Sequence, residues 1–328
     1  MIVAVFDTHR FDRLALEKEN ERLGHDLRFF ETQLQHKTAR LAAGCEAVCA
    51  FVNDTLDCAT LTVLRENGVR LVALRSAGYN NIDLAAAREL GLTVTRVPDY
   101  SPYAVAEHAL ALLLSLNRKI HRAYNRVRES NFSLEGLVGF DLHGKTIGII
   151  GTGKIGAVFA RIMAGFGCRL LAFDVYPRAD LPVTYVQPEQ LLAESDVISL
   201  HVPLLPETHH FLNARTIARL KPGVFIINTS RGALIETQAL LDALKSGLIG
   251  GAALDVYEEE AAIFFHDLSG EILQDDVLAR LISLPNVLVT SHQAFLTREA
   301  LANIAQTALE TISAFECGAV PENVLVKL

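Results

Sequence analysis

Lys145–Asp174 reads K-T-I-G-I-I-G-T-G-K-I-G-A-V-F-A-R-I-M-A-G-F-G-C-R-L-L-A-F-D. Thr146 to Ile150 is a short apolar run of the kind that makes a buried parallel strand, and it leads into Gly151, Gly153 and Gly156 in G-x-G-x-x-G spacing. Val158, Phe159, Ile162 and Met163 then recur at helical spacing, and Cys168 to Phe173 forms a second apolar strand ending on Asp174. The three glycines serve different physical ends. Gly151 permits the tight turn, Gly153 lets a pyrophosphate approach the backbone, and Gly156 lets the helix pack closely on its strand. The helix N-terminus then faces the phosphates with unpaired N–H groups. Glycine-rich turns are common by themselves; strand, glycines, helix, strand and acidic end together predict a dinucleotide site. Asp174 lies 18 residues beyond Gly156, about where a carboxylate receives the adenosine ribose hydroxyls. Such a carboxylate repels a 2′-phosphate, so NAD is expected rather than NADP, with Arg178 the one nearby basic residue.

The remainder of the chain fits a two-domain α/β protein. Its 328 residues exceed the usual single domain, and half of them are hydrophobic. A net charge of -8 with both signs mixed throughout offers no basic block for a nucleic-acid backbone. There is no basic leader before an apolar segment and no apolar run long enough to span a bilayer, so a cytoplasmic protein is expected. Five cysteines, at 45, 49, 58, 168 and 317, suit reduced, buried thiols. Cys45 and Cys49, about one helical turn apart, are read as core packing.

Short apolar runs at Ile2–Phe6, Leu27–Phe30, Ala47–Val52, Leu71–Ser76 and Thr93–Val97 alternate with helical stretches, which predicts a first parallel β/α domain over residues 1–99. Pro98-Asp99-Tyr100-Ser101-Pro102 breaks the pattern and is read as a stiff hinge. Ala104–Arg118, nearly uncharged, is expected between layers or in a subunit interface. A doubly wound domain over 100–296 follows. The helical pattern from Arg298 to Cys317 is expected to return to the first domain, which residues 297–328 complete.

In an open parallel sheet ligands bind beyond the strand C-termini. Three such ends carry Arg231, Glu260 and His292. A forked guanidinium can hold a carboxylate and polarise a carbonyl, an imidazole can exchange a proton near neutrality, and a carboxylate can fix the imidazole's tautomer. Singly these are weak signals, and Glu258 and Glu259 compete with Glu260 on spacing alone.

The sequence resembles the D-isomer-specific 2-hydroxyacid dehydrogenase family over essentially its whole length, and within it the fermentative D-lactate branch. The matching stretches are L-R-S-A-G-Y-N-N at 74–81, A-E-H-A at 106–109, G-I-I-G-T-G-K-I-G at 148–156, N-T-S-R-G-A-L-I at 228–235, D-V-Y-E at 255–258 and S-H-Q-A-F at 291–295. The resemblance implies Arg231 as the substrate-binding and activating arginine, His292 as acid/base and Glu260 as its partner. It implies substrate contacts from Ala77, Gly78, Tyr100 and Phe295. Cofactor contacts are implied at Gly151, Gly153, Lys154, Ile155, Gly156, Asp174, Val202, Pro203, Thr208, Thr229, Ser230 and Asp255. Serine at 76, where relatives often carry cysteine or an apolar residue, is a departure that leaves the chemical class untouched. The stretch Ile263–Asp276 resembles the lactate branch, and Tyr79, Tyr100, Phe264, Phe265 and Phe295 suit a small apolar-walled pocket. The resemblance thus implies two Rossmann-like parallel-sheet domains, the larger a doubly wound NAD-binding domain. It implies reduction of pyruvate to D-lactate by NADH in a closing cleft, no metal, and a homodimer or homotetramer. An NAD-responsive corepressor, or a sister dehydrogenase acting on D-2-hydroxyisocaproate or D-glycerate, stays open as an alternative.

Overall fold

Apolar runs of four to six residues become strands covered on both faces, because a parallel sheet must hide both sides under its crossover helices. In the computed structural model, which describes residues 1–326, the strands in chain order are β1 (Ile2–Val5), β2 (Asp26–Phe29), β3 (Ala47–Ala50), β4 (Leu71–Leu74), β5 (Thr93–Arg96), β6 (Thr146–Ile150), β7 (Arg169–Phe173), β8 (Thr184–Tyr185), β9 (Val197–Leu200), β10 (Val224–Asn228), β11 (Ile249–Leu254), β12 (Val287–Val289) and β13 (Val324–Val326). Every residue of β3, β4, β6 and β9 is buried. The chain forms two compact units, Met1–Ser101 with the segment from Leu296 onward, and Pro102–Phe295.

The first unit has the strand order β13-β5-β4-β3-β1-β2. β1 to β5 are parallel, in the 2-1-3-4-5 order of flavodoxin-like sheets, and β13 adds an antiparallel edge on β5. One face packs Phe6, Leu34, Leu61 and Leu64; the other is covered by the helix Arg298–Glu316, whose Ala305, Leu309 and Ile312 meet Val3, Val5, Cys49 and Leu71. Thr297 caps that helix by accepting a hydrogen bond from Ala300 N. The C-terminal helix therefore does return to the first unit. Of the helical stretches expected between the strands, the one between β2 and β3 is only the single 3-10 turn Ala39–Ala42.

The second unit is wholly parallel, in the order β12-β11-β10-β9-β6-β7-β8. Counted from β6, this is the doubly wound 3-2-1-4-5-6 order extended by one strand, with its reversal between β6 and β9. Pro102 opens the helix Pro102–Arg118, where its fixed φ and missing N–H cost nothing. Ala106, Ala109, Leu112, Leu113 and Leu116 of this helix pack with Ile147, Ile149 and Phe159. Its apolar face is thus occupied within its own unit. Exposed apolar side chains lie beyond it instead, at Ile120, Tyr124, Val127, Phe132, Leu134 and Val138.

The cysteines depart from expectation in part. Cys45 and Cys49 are buried, but Cys49 lies in β3, so the two are not a helical turn apart; Cys58 and Cys317 are exposed. No helix among the described residues is long and apolar enough to cross a membrane.

Candidate active site

The reversal between β6 and β9 is built from glycine for reasons the packing makes explicit. Gly151 has φ +92°, and a Cβ there would lie 2.5 Å from the carbonyl oxygen of His201, just past β9. A Cβ on Gly156 would collide with the carbonyl oxygen of Gly151, so the helix Lys154–Ala164 seats on its strand only through glycine. Gly153 differs: a Cβ would meet no protein atom within 4 Å. Nothing in the protein's own packing demands glycine there, which fits a pyrophosphate approaching that backbone. Gly153 is the N-cap of the helix, so the amides of Lys154 and Ile155 belong to its unbonded first turn.

Asp174 sits at the end of β7, where its Oδ2 accepts from Thr152 N at 2.5 Å and Thr152 Oγ1 at 3.1 Å, and its Oδ1 from Tyr176 N at 2.8 Å. Arg178 is held by Asp180 through Nε at 3.0 Å and Nη2 at 2.9 Å, so its fork is already engaged away from Asp174. At the end of β10, Ser230 Oγ donates to Leu200 O at 2.9 Å, whereas Thr229 Oγ1 is buried with no hydrogen-bond partner in the protein. An orphaned buried hydroxyl costs free energy, and a bound nucleotide beside it would supply the missing partner. Val202 and Pro203 follow β9, and Thr208 Oγ1 turns back on Pro203 O at 2.7 Å. The residues present therefore fit NAD.

Arg231, Glu260 and His292 follow β10, β11 and β12, three neighbouring strands. Arg231 precedes the turn Gly232–Leu234, and its Nη1 donates to Ser230 O at 2.6 Å. A Cβ on Gly232 would collide with the carbonyl of Tyr257, so the loops after β10 and β11 are pressed together. Of the three consecutive glutamates, Glu260 reaches the imidazole: His292 Nδ1 lies 2.7 Å from its Oε1, while its Oε2 accepts from Tyr257 N at 2.9 Å. Glu258 turns instead to His210 and Thr237, and Glu259 is exposed.

Asp255, expected to touch cofactor, has a positioning role within the protein. It is 0 % exposed, and its carboxylate accepts from Thr290 Oγ1 at 2.6 Å, Gln293 N at 2.9 Å and Ala294 N at 2.8 Å, while its carbonyl accepts from His292 N at 2.6 Å. It thereby dictates the loop that carries His292, a non-glycine residue held at φ +51°. His108, in the A-E-H-A stretch, stands 3.3 Å from Asp255 Oδ1 and 3.2 Å from Thr290 Oγ1. Burial pushes the Asp255 carboxyl up, but hydrogen bonds from His108, Thr290 and Ala294 outweigh it and hold the group below the usual range. Neither positioning role was visible in the sequence; His108 was signalled only by its place in A-E-H-A, on a helix that carries few charges.

The structure places the remaining expected residues as follows. Phe265 lies with its ring centroid 6.1 Å from that of His292, and Phe295 is 9 % exposed. Phe264, 5 % exposed, packs with the hydrophobic core of the second unit. On the first unit, Ser76 Oγ donates to Gly78 O at 2.8 Å and Arg96 Nη1 to Ala77 O at 2.9 Å, which fixes the loop after β4. The Arg96 guanidinium also lies 5.2 Å over the Tyr79 ring, and Tyr100 O accepts from Asn303 Nδ2 at 2.6 Å.

Comparison with known proteins adds to this geometry. Residues 110–294 match the model of the D-isomer specific 2-hydroxyacid dehydrogenase NAD binding domain. The chain is 54% identical over 329 aligned positions to a D-lactate dehydrogenase of Escherichia coli, covering 99% of this chain and 100% of that protein. It superposes on the apo-structure of the D-lactate dehydrogenase from Escherichia coli with a TM-score of 0.91 and 53% identity, covering 99% of this chain and 100% of that one. It also resembles the Aquifex aeolicus D-lactate dehydrogenase complexed with NAD and lactic acid, at a TM-score of 0.88 and 32% identity over 99% of both chains.

Proposed function

The chain belongs to the D-isomer-specific 2-hydroxyacid dehydrogenase family, an NAD-dependent oxidoreductase family, and we propose that within it this protein interconverts pyruvate and D-lactate. The observation that carries the reading is the His292 Nδ1–Glu260 Oε1 contact at 2.7 Å. With Nδ1 committed to the carboxylate, Nε2 is left to hold the mobile proton. In the reductive direction His292 gives that proton to the C2 oxygen, and in the oxidative direction it takes it back. Arg231 binds the carboxylate with its fork and stabilises charge growing on the carbonyl oxygen. Ala77 and Gly78 would present backbone N–H groups to the carboxylate, with Tyr100 and Phe295 bordering the substrate. Gly151, Gly153, Lys154, Ile155 and Gly156 would hold pyrophosphate, Asp174 the adenosine ribose, and Val202, Pro203, Thr208, Thr229 and Ser230 the remainder of the dinucleotide. NAD, when bound, supplies or accepts the hydride.

Pyruvate is favoured over bulkier 2-oxo acids by the likeness of Ile263–Asp276 to the lactate branch and by the D-lactate dehydrogenases among the relatives. A branched 2-oxo acid differs by a few methylenes, each worth roughly 1–3 kcal/mol of discrimination. Absorbance assays of a 2-oxo acid panel with NADH and NADPH test the proposal: pyruvate with NADH should give the highest kcat/KM. No turnover with any acid would favour a corepressor instead. His292→Ala should lower kcat by about 100-fold to 10,000-fold while NADH still binds, and near-normal turnover would remove His292 from its role. A cytoplasmic homodimer or homotetramer is proposed as well, with the exposed apolar side chains between Ile120 and Val138 as the surface a second copy would cover. Sedimentation of the purified chain checks this.

A further inference from the structure

Among the described residues, His209, His210 and Glu258 bring one ring nitrogen or carboxylate oxygen each to within 4.8 Å of one another. His210 Nε2 lies 2.6 Å from Glu258 Oε1, and the rings of the two histidines stack with centroids 3.9 Å apart. The other oxygen of Glu258 accepts from Thr237 Oγ1 at 2.7 Å and Thr237 N at 3.2 Å, which leaves Oε1 aimed at the histidines. Backbone bonds fix the main chain at both histidines: His209 N donates to Leu205 O at 2.9 Å, and His210 N to Ala233 O at 2.8 Å with His210 held at φ +49°. A plain ion pair needs only His210 and Glu258. It does not account for the third donor, His209, an exposed side chain whose nitrogen falls within the same small sphere.

We propose that His209, His210 and Glu258 form a binding site for a borderline divalent cation such as Zn2+, with water completing the coordination. Two imidazoles and one carboxylate suit zinc, cobalt or nickel and disfavour magnesium and calcium, which take oxygen ligands. Tetrahedral coordination at zinc–nitrogen bond lengths spaces ligand atoms about 3.3 Å apart. That is reached from the present arrangement by a small retreat of Glu258 and a rotation of His209. Thr237 acts as the hydroxyl that orients the carboxylate ligand. The ligands come from the segment after β9 and the loop after β11, so an occupied site ties together two loops that flank Arg231 and Glu260. The site needs neither substrate nor NAD, and its test is independent of the proposed reaction.

The test is calorimetric titration of ZnCl2, and separately NiCl2, into EDTA-treated full-length protein carrying Cys58→Ser and Cys317→Ser, because those exposed thiols would bind zinc themselves. One saturable event is expected, weakened about 100-fold or more by His209→Phe or Glu258→Gln and about tenfold by Thr237→Val. MgCl2 should give no binding. Zn2+ should also raise the thermal midpoint of the parent and leave that of the His209→Phe variant unchanged. His209→Phe keeps a ring at an exposed position, so its folding is not at issue. Absence of saturable binding, or binding that Glu258→Gln weakens and His209→Phe does not, overturns the site.

Discussion

Both sheets reverse their strand order beside their first strand, yet the two reversals are finished in opposite ways. In the second unit the ends of β6 and β9 meet at Gly151 and His201, and the polypeptide offers glycine and a helix N-terminus. In the first unit the ends of β1 and β3 are closed from within by Arg75, a residue 2 % exposed. Its Nη2 donates to Phe6 O at 2.8 Å and Asp7 O at 2.7 Å, and its Nη1 to Cys49 O at 3.2 Å. Its Nε stands 3.5 Å from Asp12 Oδ1, and the guanidinium lies 4.7 Å over the Phe51 ring. Strand order marks where a crevice can form; side chains decide whether anything can enter it. One guanidinium consumes the carbonyls that would line one crevice, and three glycines keep the other open.

The largest effect should come from removing that guanidinium. Arg75→Met leaves Asp7, Asp12 and Asp54 buried without their cation and should destabilise the protein by about 3–5 kcal/mol in urea unfolding. A loss within experimental error would mean the first reversal is not held by charge. The next contrast lies in the second unit. Gly156→Ala must push the Gly151 carbonyl aside and should cost about 1–3 kcal/mol with loss of NADH binding.

The two reversals should also answer pH with opposite sign. Burial raises the Asp54 carboxyl to about 7, against the opposing pull of Arg75. Its contribution to stability is therefore full below the unfolded value of 3.8 and is lost as pH rises through about 7. Burial lowers His201 from 6.5 to about 3; its Nδ1 is shut from solvent although part of the residue reaches the surface. Its contribution is present above 6.5 and is lost as pH falls toward 3. Urea unfolding between pH 4 and pH 8 should show wild type losing ground to Asp54→Asn as pH rises and gaining on His201→Phe. Each slope is at most about 1.4 kcal/mol per pH unit, and two slopes of one sign would erase the contrast. The smallest effect on stability belongs to Gly153→Ala, which meets no protein atom and should unfold like wild type while binding NADH more weakly by fluorescence titration.

Much of this was legible because parallel strands advertise themselves as unbroken apolar runs, and because the glycines of Lys145–Asp174 answer to local clashes. β13 escaped because three residues at the end of the chain gain their strand character only by pairing with β5. Choosing among Glu258, Glu259 and Glu260 lay beyond spacing, since the turn in which Tyr257 N meets Glu260 aims the side chains. The resemblance implied Asp255 as a cofactor contact, and only the fold shows that its carboxylate also gathers amides 38 and 39 residues away.

The loop carrying His292 is held through the main-chain amides of His292, Gln293 and Ala294 bound to Asp255, which do not depend on the side chain at 293. If Phe295 borders the substrate as proposed, exchanging side chains on this loop should admit a larger or more polar acid while the imidazole keeps its station. On that reading, chemistry and selectivity share one short segment but answer to different constraints.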